Sequence, residues 1–437
     1  MARVAGRLVK TVVTLCAVVF ALQELFRYIG SRSASSHRKE QDLARLDAAQ
    51  RDEDATVLLV WTTVYAETKF EGYRVDYCGL GRPMCVLTHH RERQADAAAV
   101  LFFAWDTEAS DMPGISSKKR RRQRDEYQEE IVKPQQHHQQ QYQPWVLWSA
   151  EPPYRLSRAV VSEHIAQGHF DRSMTYRFDS DYPVPFFNGK TVEGALAPMD
   201  PPVSRRNNDV PVAWFASNCE SYNGRERIVL ELQRYGVKVD SYGACFANQP
   251  NVARGDIFST VPTIRQYKFY LSLENSNCRD YVTEKLHNAL VAGAVPIVVG
   301  PKQDEYRRHF LPGPNAAVFV DDFYTAKDLA EYILFLHHND TAYMAHHAHR
   351  DNAQDRASQA TRDAFADTWD EPGGQNDRRG LCMLCEEAAT WRRGERVSQH
   401  ETTGYPRIRP VERVERVMAI DGQCEARDKY NRGASFL

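Results

Sequence analysis

The sequence predicts an α/β fold with two domains. Short apolar runs with the period-two pattern of strands alternate with helical patterns in both halves of the chain. A polar, proline-containing stretch at residues 197–210 separates the two halves. The chain has 437 residues, which is long enough for two separate cores. We therefore expect strands and helices to alternate within each of two packed units.

The N-terminus carries an apolar segment behind a basic flank. Three basic residues precede an apolar run at residues 11–22, which extends past two charged residues to residue 29. The length of this run fits either a cleaved signal sequence or a short membrane anchor, because a bilayer span usually needs about 20 residues. Whether this segment is retained or cleaved stays open at this point. The predicted divisions are a tail at residues 1–10, a membrane segment at 11–29 and a polar stem at 30–54.

The first domain is predicted to begin near residue 55. Apolar runs predict strands at residues 56–62, 97–104 and 145–148, and the last of these leads to Glu151. Residues 114–143 hold a KKRRRQR run and a Gln/His-rich stretch, which cannot bury enough apolar surface to pack. We expect a disordered surface insertion there. The formal net charge of -2 argues against general binding to nucleic acid.

The second domain is predicted to open with a strand at residues 212–217, a helix near 225–235 and a strand at 237–242. Residues 267–300 then read YKFYLSLENSNCRDYVTEKLHNALVAGAVPIVVG. This run predicts a strand that ends at Leu273, a polar loop and a helix from about Val282 to a stop at Gly293. Pro296 is expected to open a buried strand that follows.

The polar loop and the first helical turn of this run form a candidate nucleotide-sugar site. Chemistry in α/β folds gathers at strand ends, and a helix N-terminus offers unpaired N–H groups to a diphosphate. Lys268, Arg279 or Lys285 would supply full positive charge. The carboxylate of Glu284 could accept hydrogen bonds from two ribose hydroxyls. Without further context, a solvated helix face is the alternative for Glu284 and Lys285.

Eight cysteines lie beyond the apolar N-terminal segment, and this even number permits disulfides in an oxidising compartment. The disulfide candidates are Cys78, Cys85, Cys219, Cys245, Cys278, Cys382, Cys385 and Cys424. Half of a zinc site at the CxxC pair of Cys382 and Cys385 is the alternative, but the sequence has no second CxxC. Asn339 opens a glycosylation sequon.

The run at residues 267–300 closely resembles the signature of the α-1,3-fucosyltransferases, glycosyltransferase family 10. These enzymes transfer fucose from GDP-fucose to N-acetylglucosamine units of glycans. Three further blocks agree with the family in the same order: WVLWSAEPP at residues 145–153, MTYRFDSDYPVPFF at 174–187, and VAWFASNC from 212 followed by Arg225. Together the blocks span most of the chain between about residues 55 and 390.

The resemblance implies a GT-B architecture, in which two Rossmann-like domains face a cleft. It also implies a type II membrane protein of the Golgi apparatus, with a signal-anchor helix and a lumenal catalytic part that meets a GDP-fucose donor and an N-acetylglucosamine-containing glycan acceptor. The basic flank fits this orientation. A disulfide near the C-terminus is also typical of the family. The expected domains are an acceptor-side domain at residues 55–205, a GDP-fucose-binding domain at 206–400 and a tail at 401–437.

Glu151 is the candidate catalytic base by resemblance. An inverting sugar transfer needs a base for the acceptor hydroxyl, stabilisation of a cationic sugar and positive charge for the departing diphosphate. In the family, the glutamate of a similar E-S-P motif is the base. This chain has Pro152 where the family usually has serine, so the resemblance does not supply the local hydrogen bonding of Glu151.

The resemblance assigns seven residues to the donor. Arg225 and Lys285 match the family's diphosphate contacts, and Glu284 would bind the ribose hydroxyls. The remaining four residues, expected to line the donor pocket or lie near the donor, are Asn275, Tyr281, Lys268 and Glu274.

Asp179-Ser180-Asp181 resembles the DxD metal motif of another class of glycosyltransferase. In this family the block belongs to the acceptor-side domain and is not an obligatory metal site. We therefore expect no obligatory cofactor and leave stimulation by Mn²⁺ open.

The leading hypothesis is an inverting fucosyltransferase that makes an α-1,3 bond to N-acetylglucosamine of N-glycans or related glycoconjugates. One alternative uses the same donor on another acceptor, such as a protein O-linked site. The other is a non-catalytic glycan-binding Golgi protein, which would not require Glu151 together with Arg225, Glu284 and Lys285. The EKLHNAL spacing looks more like that of family members that modify the glycan core, but core and antennal acceptors both remain open.

Overall fold

Two sheets form the core of the chain, as described by a computed structural model. The described residues are 55–68, 70–75, 85–108, 111–113, 143–156, 168–187, 189–207, 209–250, 259–350, 379–392, 418, 424–425 and 429–432. The predicted tail, membrane segment and stem, Cys78 and nearly all of the predicted insertion lie outside them, as does most of the region beyond residue 400. No helix among the described residues is long and apolar enough to cross a membrane.

The first sheet has seven strands in the order β2-β3-β1-β4-β5-β6-β7, with every neighbouring pair parallel except β2 and β3. All five residues of its central strand β4 are buried, as a parallel strand covered on both faces requires. The strands are β1 Thr56–Val60, β2 Tyr73–Val75, β3 Cys85–Thr88, β4 Ala99–Phe103, β5 Trp145–Ser149, β6 Arg172–Thr175 and β7 Tyr182–Pro183.

The second sheet is entirely parallel, with the order β12-β11-β10-β8-β9. Its central strand β10 is buried along its whole length and ends directly before Glu274. The C-terminal end of β10 is therefore the place where polar loops can meet a ligand. The strands are β8 Val212–Ala216, β9 Val239–Gly243, β10 Phe269–Leu273, β11 Val295–Val299 and β12 Val318–Phe319.

Nine α-helices are present among the described residues. The helix predicted within residues 267–300 is α4. It ends at Gly293, whose φ of 68° is the left-handed conformation that glycine favours at a helix C-terminus. The helices are α1 Gly189–Leu196, α2 Glu226–Arg234, α3 Val261–Ile264, α4 Glu284–Ala292, α5 Gln303–Glu305, α6 Ala326–His338, α7 Asp340–Ala345, α8 Arg379–Arg392 and α9 Lys429–Arg432.

The two α/β sheets confirm the predicted fold class, and the predicted strands and helices are present with small shifts at their ends. One detail differs: Pro296 is the second residue of β11 and lies opposite Tyr270, so it does not open the strand. Proline is tolerated near the start of a strand because few ladder hydrogen bonds are lost there.

Two helices pack on the sheet opposite to the one expected from the predicted domain boundaries. Helix α8 lies within the predicted domain at residues 206–400, yet its Leu384 and Trp391 are buried against β1 of the first sheet. Helix α1 lies within the predicted domain at 55–205, yet it packs against α4 of the second sheet. The chain therefore passes to the second sheet before α1 and returns to the first at α8, because each helix buries its apolar face where matching apolar residues are available.

Disulfides join Cys85 to Cys385, Cys219 to Cys245 and Cys278 to Cys424, and Cys382 is also disulfide-bonded. These pairings confirm the predicted disulfides for the seven described cysteines. They also remove the thiolates that a zinc site at Cys382 and Cys385 would need.

Asn339 is the N-cap residue of α7, and its side-chain oxygen accepts a hydrogen bond from Ala342 N at 3.0 Å. This contact satisfies one of the N–H groups of the first helical turn. Glycosylation of Asn339 stays a prediction.

Leu384→Ala tests the docking of α8 on the first sheet. Removing this fully buried side chain should lower the free energy of unfolding by about 2–5 kcal/mol. Amide exchange should rise in β1 but not in β10. The control is Leu230→Ala on α2, which should change stability by about 0.5 kcal/mol or less because Leu230 is 48% exposed. Faster exchange in β10 rather than β1 would contradict the packing.

Candidate active site

The loops that follow the C-terminal ends of β5 and β10 meet between the two sheets. Glu151 comes shortly after β5, and Tyr281 lies in the loop that connects β10 to α4. The Tyr281 hydroxyl donates to Glu151 Oε2 at 3.4 Å. Arg155 Nε lies 3.9 Å from the same oxygen. The candidate base and a predicted donor-pocket residue are therefore in direct contact across the two sheets.

Glu151 is positioned and tuned by its neighbours. Burial raises its pKa above the ordinary value, and the positive charges of Arg155 and Lys285 only partly offset this effect. Ser149 Oγ donates to the Glu151 carbonyl at 2.7 Å and accepts from Glu151 N at 3.2 Å. Ser149 thus fixes the backbone of Glu151 from the preceding strand.

Glu274 links the end of β10 to the start of α4. Its Oε1 accepts hydrogen bonds from Thr283 N at 2.7 Å and from Thr283 Oγ1 at 2.9 Å. Lys285 Nζ lies 3.2 Å from Glu274 Oε2. Because Glu274 is only 1% exposed, these contacts replace the water that a carboxylate would otherwise bind. They also fix the first turn of α4 relative to the sheet.

Lys285 lies between two carboxylates. Its Nζ donates to Glu284 Oε1 at 3.0 Å and to Thr283 Oγ1 at 2.8 Å, in addition to its ion pair with Glu274. Burial lowers the pKa of Lys285, but Glu274 and Glu284 outweigh burial and hold that pKa above the ordinary value. The ammonium is therefore charged at neutral pH and lies at the N-terminus of α4, where an anion is favoured.

Glu284 is ionised at neutral pH. Burial raises the pKa of Glu284, but the adjacent Lys285 outweighs this effect and lowers the pKa to about 2. The side chain is 37% exposed, so part of the carboxylate remains accessible to a ligand. An ionised carboxylate only accepts hydrogen bonds, which suits the hydroxyl groups of a sugar ring.

Arg225 lies at the start of α2, beside the end of β10. Its Nη1 donates to the Leu273 carbonyl, and its Nη2 donates to the Asn218 carbonyl at 3.4 Å. Its Nε lies 3.8 Å from Glu226 Oε1. The side chain is buried, with 3% exposed. These contacts hold the guanidinium at the same strand end as Glu274, and the assignment of Arg225 to the diphosphate stays a prediction.

Asn275 takes part in a second contact between the sheets. Its carbonyl accepts from Tyr222 N at 2.9 Å and from the hydroxyl of Tyr154 at 3.4 Å. The rings of Tyr154 and Tyr222 also pack together, with 4.3 Å between their centroids. Tyr154 follows Glu151 by three residues, so the same loop carries both contacts.

The structure places Lys268 at the opposite end of β10 from Glu274, and its position near the donor stays a prediction. Lys268 precedes β10, whereas Glu274 follows it, and five strand residues span about 17 Å. Lys268 Nζ donates to the His337 carbonyl at 2.7 Å and to Asp340 Oδ1 at 2.9 Å. Its charge therefore stabilises the C-terminus of α6.

The two carboxylates of the Asp179-Ser180-Asp181 block have different partners. Asp179 is held by Arg177 through two bonds of 2.8 and 2.7 Å, and Arg279 lies 3.6 Å from it. Asp181 accepts from both the amide and the hydroxyl of Ser173 at 2.8 Å. Within the part of the chain that the structure describes, no group of three or more His, Cys, Asp or Glu side chains is arranged to hold a metal ion.

Sequence reasoning missed three residues near Glu151: Tyr154, Arg155 and Tyr65. Tyr154 and Arg155 directly follow the EPP motif, and this proximity is the signal that could have found them. Tyr65 follows β1, and its φ of 52° is left-handed. Burial raises the pKa of Tyr65, and the nearby carboxylates of Glu151 and Glu284 raise it further.

Comparison with known proteins supplies the context for this geometry. Two family models match the chain: "Fucosyltransferase, N-terminal" at residues 53–187 and "Glycosyltransferase family 10 (fucosyltransferase) C-term" at residues 204–402. Between them, the models contain the residues of both loops that meet at Glu151 and Tyr281.

Curated relatives are similar over about half of the chain. The 4-galactosyl-N-acetylglucosaminide 3-alpha-L-fucosyltransferase FUT6 of Pongo pygmaeus is 35% identical over 230 residues, which cover 52% of this chain and 60% of that protein. The 3-galactosyl-N-acetylglucosaminide 4-alpha-L-fucosyltransferase FUT3 of Homo sapiens is 36% identical over 218 residues, which cover 50% of this chain and 56% of that protein. The chain thus spans somewhat more than half the length of these relatives.

Among solved structures, an alpha1,3-fucosyltransferase with GDP-fucose is 15% identical, with a TM-score of 0.46 over 77% of this chain and 90% of that chain.

Two variants, Lys285→Met and Lys268→Met, compare the lysine in the first turn of α4 with the lysine that precedes β10. Loss of the Lys285 charge should weaken GDP binding about tenfold or more, because charge-assisted hydrogen bonds contribute about 1.5–3 kcal/mol. Lys268→Met should lower stability yet leave the Kd for GDP within about twofold, since its partners are His337 and Asp340. Titration calorimetry with GDP measures both. Equal weakening by the two variants would contradict the placement of Lys268.

Proposed function

The chain belongs to glycosyltransferase family 10, the fucosyltransferases, and we propose that it transfers L-fucose from GDP-fucose with inversion. The proposed product has an α-1,3 linkage to N-acetylglucosamine of an N-glycan or related glycoconjugate. The observation that carries this proposal is the contact between Glu151 of the first sheet and Tyr281 of the loop leading to Lys285. It supports the proposal because a base and a positive charge for the departing diphosphate are two of the groups that an inverting transfer needs.

Glu151 acts as the base in this proposal. Its carboxylate takes the proton from the acceptor hydroxyl while that oxygen attacks the anomeric carbon of fucose. The bond from that carbon to the diphosphate oxygen breaks on the opposite face, so the configuration inverts. A raised pKa supports this role, because a base is most effective when its pKa approaches the working pH. The base must be ionised, so activity is lost as the pH falls through this pKa.

The second sheet supplies the positive charge for the departing GDP. The Lys285 ammonium lies in the first turn of α4, and Arg225 lies at the neighbouring strand end. Both would face the diphosphate, whose negative charge grows as the bond to fucose breaks. Glu284, ionised and partly exposed, would accept from the ribose hydroxyls. Asn275 and Tyr281 would line the same pocket.

The proposed location is the Golgi membrane, with a type II orientation and the catalytic part in the lumen. The apolar segment at residues 11–29 and its basic flank support this proposal. The disulfides of the two sheets are of the kind that persist in an oxidising compartment.

The acceptor class defines the first experiment. The names of the relatives above specify galactosyl-N-acetylglucosaminide acceptors, whereas the EKLHNAL spacing favours the glycan core. Defined N-glycans with free core and antennal N-acetylglucosamine should therefore be incubated with GDP-fucose and residues 31–437. Mass spectrometry should show the gain of one fucose, and fragmentation locates the modified sugar.

Glu151→Gln should reduce this transfer by at least about a hundredfold, because the amide cannot take the acceptor proton. Its Kd for GDP should stay within about threefold of the wild type. The control is Glu331→Gln, an equivalent change on α6 at a side chain that is 65% exposed, and it should retain full activity. GDP binding without transfer to any N-glycan would instead favour another acceptor, such as a protein O-linked site, or a non-catalytic glycan-binding protein.

Tyr281→Phe should move the acid limb of the kcat/KM profile to higher pH. The Tyr281 hydroxyl donates to the ionised form of Glu151 and so lowers its pKa. Removing that hydroxyl should raise the apparent pKa by a few tenths to about one unit. Tyr154→Phe, whose hydroxyl donates to the Asn275 carbonyl, is the matched control and should leave the limb in place. A shift to lower pH in Tyr281→Phe would refute the assignment of this limb to Glu151.

A further inference from the structure

Four described residues near the C-terminus lie against the donor side of the site, and we name them the C-terminal strap: Cys424, Glu425, Lys429 and Tyr430. The strap is joined to the loop after β10 by the disulfide between Cys278 and Cys424 and by a hydrogen bond of 2.9 Å from Glu425 N to the Asn277 carbonyl. It is also fastened to the second sheet through Asp321, which accepts from Lys429 Nζ at 2.7 Å and from the Tyr430 hydroxyl at 3.1 Å.

The side chain of Asn277 bridges the strap and the site. Its Nδ2 donates to Glu425 Oε2 at 2.7 Å and to the Tyr430 hydroxyl at 3.2 Å. Its Oδ1 accepts from Asn223 Nδ2 at 2.7 Å. Asn277 is only 4% exposed, so these bonds take the place of water and hold the amide in one orientation. The bond to the Glu425 carboxylate is charge-assisted and thus among the stronger ones.

Asn223 continues this network to Arg225. Its Oδ1 accepts from Arg225 N at 3.3 Å, and its Nδ2 also donates to the Glu274 carbonyl at 3.0 Å. The strap contacts Asn223 directly as well, because Tyr430 N donates to the Asn223 carbonyl at 3.0 Å. The strap therefore touches both segments that carry the proposed donor contacts: the loop after β10 and the turn that begins α2.

We infer that the C-terminal strap is a positioning element of the donor site and acts through Asn277 and Asn223. Glu425 and Tyr430 orient the Asn277 amide, Asn277 orients Asn223, and Asn223 sets Arg225 relative to the end of β10. The strap residues themselves are assigned no contact with substrate. This inference rests on the proposed function, since it concerns how tightly the site holds GDP and GDP-fucose. It predicts an effect on the donor rather than on the acceptor.

The test removes the strap's side-chain bonds to the Asn277 amide without altering the donor-site residues. The double variant Glu425→Ala/Tyr430→Phe should raise the Kd for GDP and the KM for GDP-fucose about three- to tenfold. The KM for the glycan acceptor should stay within about twofold. Glu425→Gln retains an oxygen that can accept from Asn277 and should restore donor affinity to near the wild-type value. Because Tyr430 also packs in the core, the single variant Glu425→Ala is measured together with the double variant. Its donor Kd and KM should rise less, in the same direction.

Glu331→Ala is the matched control, because it removes an exposed glutamate on α6. Among the described residues, the ion-pair partner of Glu331 is Lys327, at 3.6 Å. It should leave both donor constants unchanged. Donor constants within twofold of the wild type in all strap variants, or an equal rise in the acceptor KM, would overturn the inference. Wild-type protein that binds no GDP would contradict the proposed function and this inference together, whereas wild-type binding with unaffected variants contradicts the inference alone.

Discussion

The buried carboxylate of Glu274 is the constraint on which the geometry of the site depends. Burial raises the pKa of Glu274, and a carboxyl group that is almost fully buried is tolerated only when charges and hydrogen bonds replace its water. Thr283 and Lys285 supply those partners, and both lie at the start of α4. These contacts join the start of the loop between β10 and α4 to its end. Tyr281, near the end of that loop, is thereby held against Glu151 of the other sheet. The buried contacts of Glu274 therefore help to place both Lys285 and the candidate base.

Much of the fold was predictable because its signals are local. The apolar run of β10, the polar break after Leu273 and the stop at Gly293 all lie in one continuous stretch, and the structure has a strand, a loop and a helix there. The grouping of Glu274 and Lys285 followed from the rule that polar residues gather where a parallel strand ends. Glu151 could be assigned only through its resemblance to a family motif, since periodicity indicates a strand end but not a partner.

The features that the sequence did not predict depend on contacts between residues far apart in the chain. Lys268 lies at the opposite end of β10 from Glu274, and only the packing of α6 shows which carbonyl it binds. The sequence of helix α8 does not reveal which sheet it packs on. Its packing on the first sheet depends on apolar residues and a cysteine about 300 positions earlier. The C-terminal strap carries no motif at all. Its polar sequence was uninformative because its role comes from partners such as Asn277.

Both sheets contribute to one site, and this is the central claim for the molecule. A crystal structure of the protein with GDP and an N-glycan acceptor tests it most directly. The acceptor oxygen should lie about 3 Å from a carboxylate oxygen of Glu151, with the diphosphate against Lys285 and Arg225 at the start of α4 and α2. A complex in which GDP occupies the start of α4 while the acceptor oxygen lies far from Glu151, beside a different base, would contradict it.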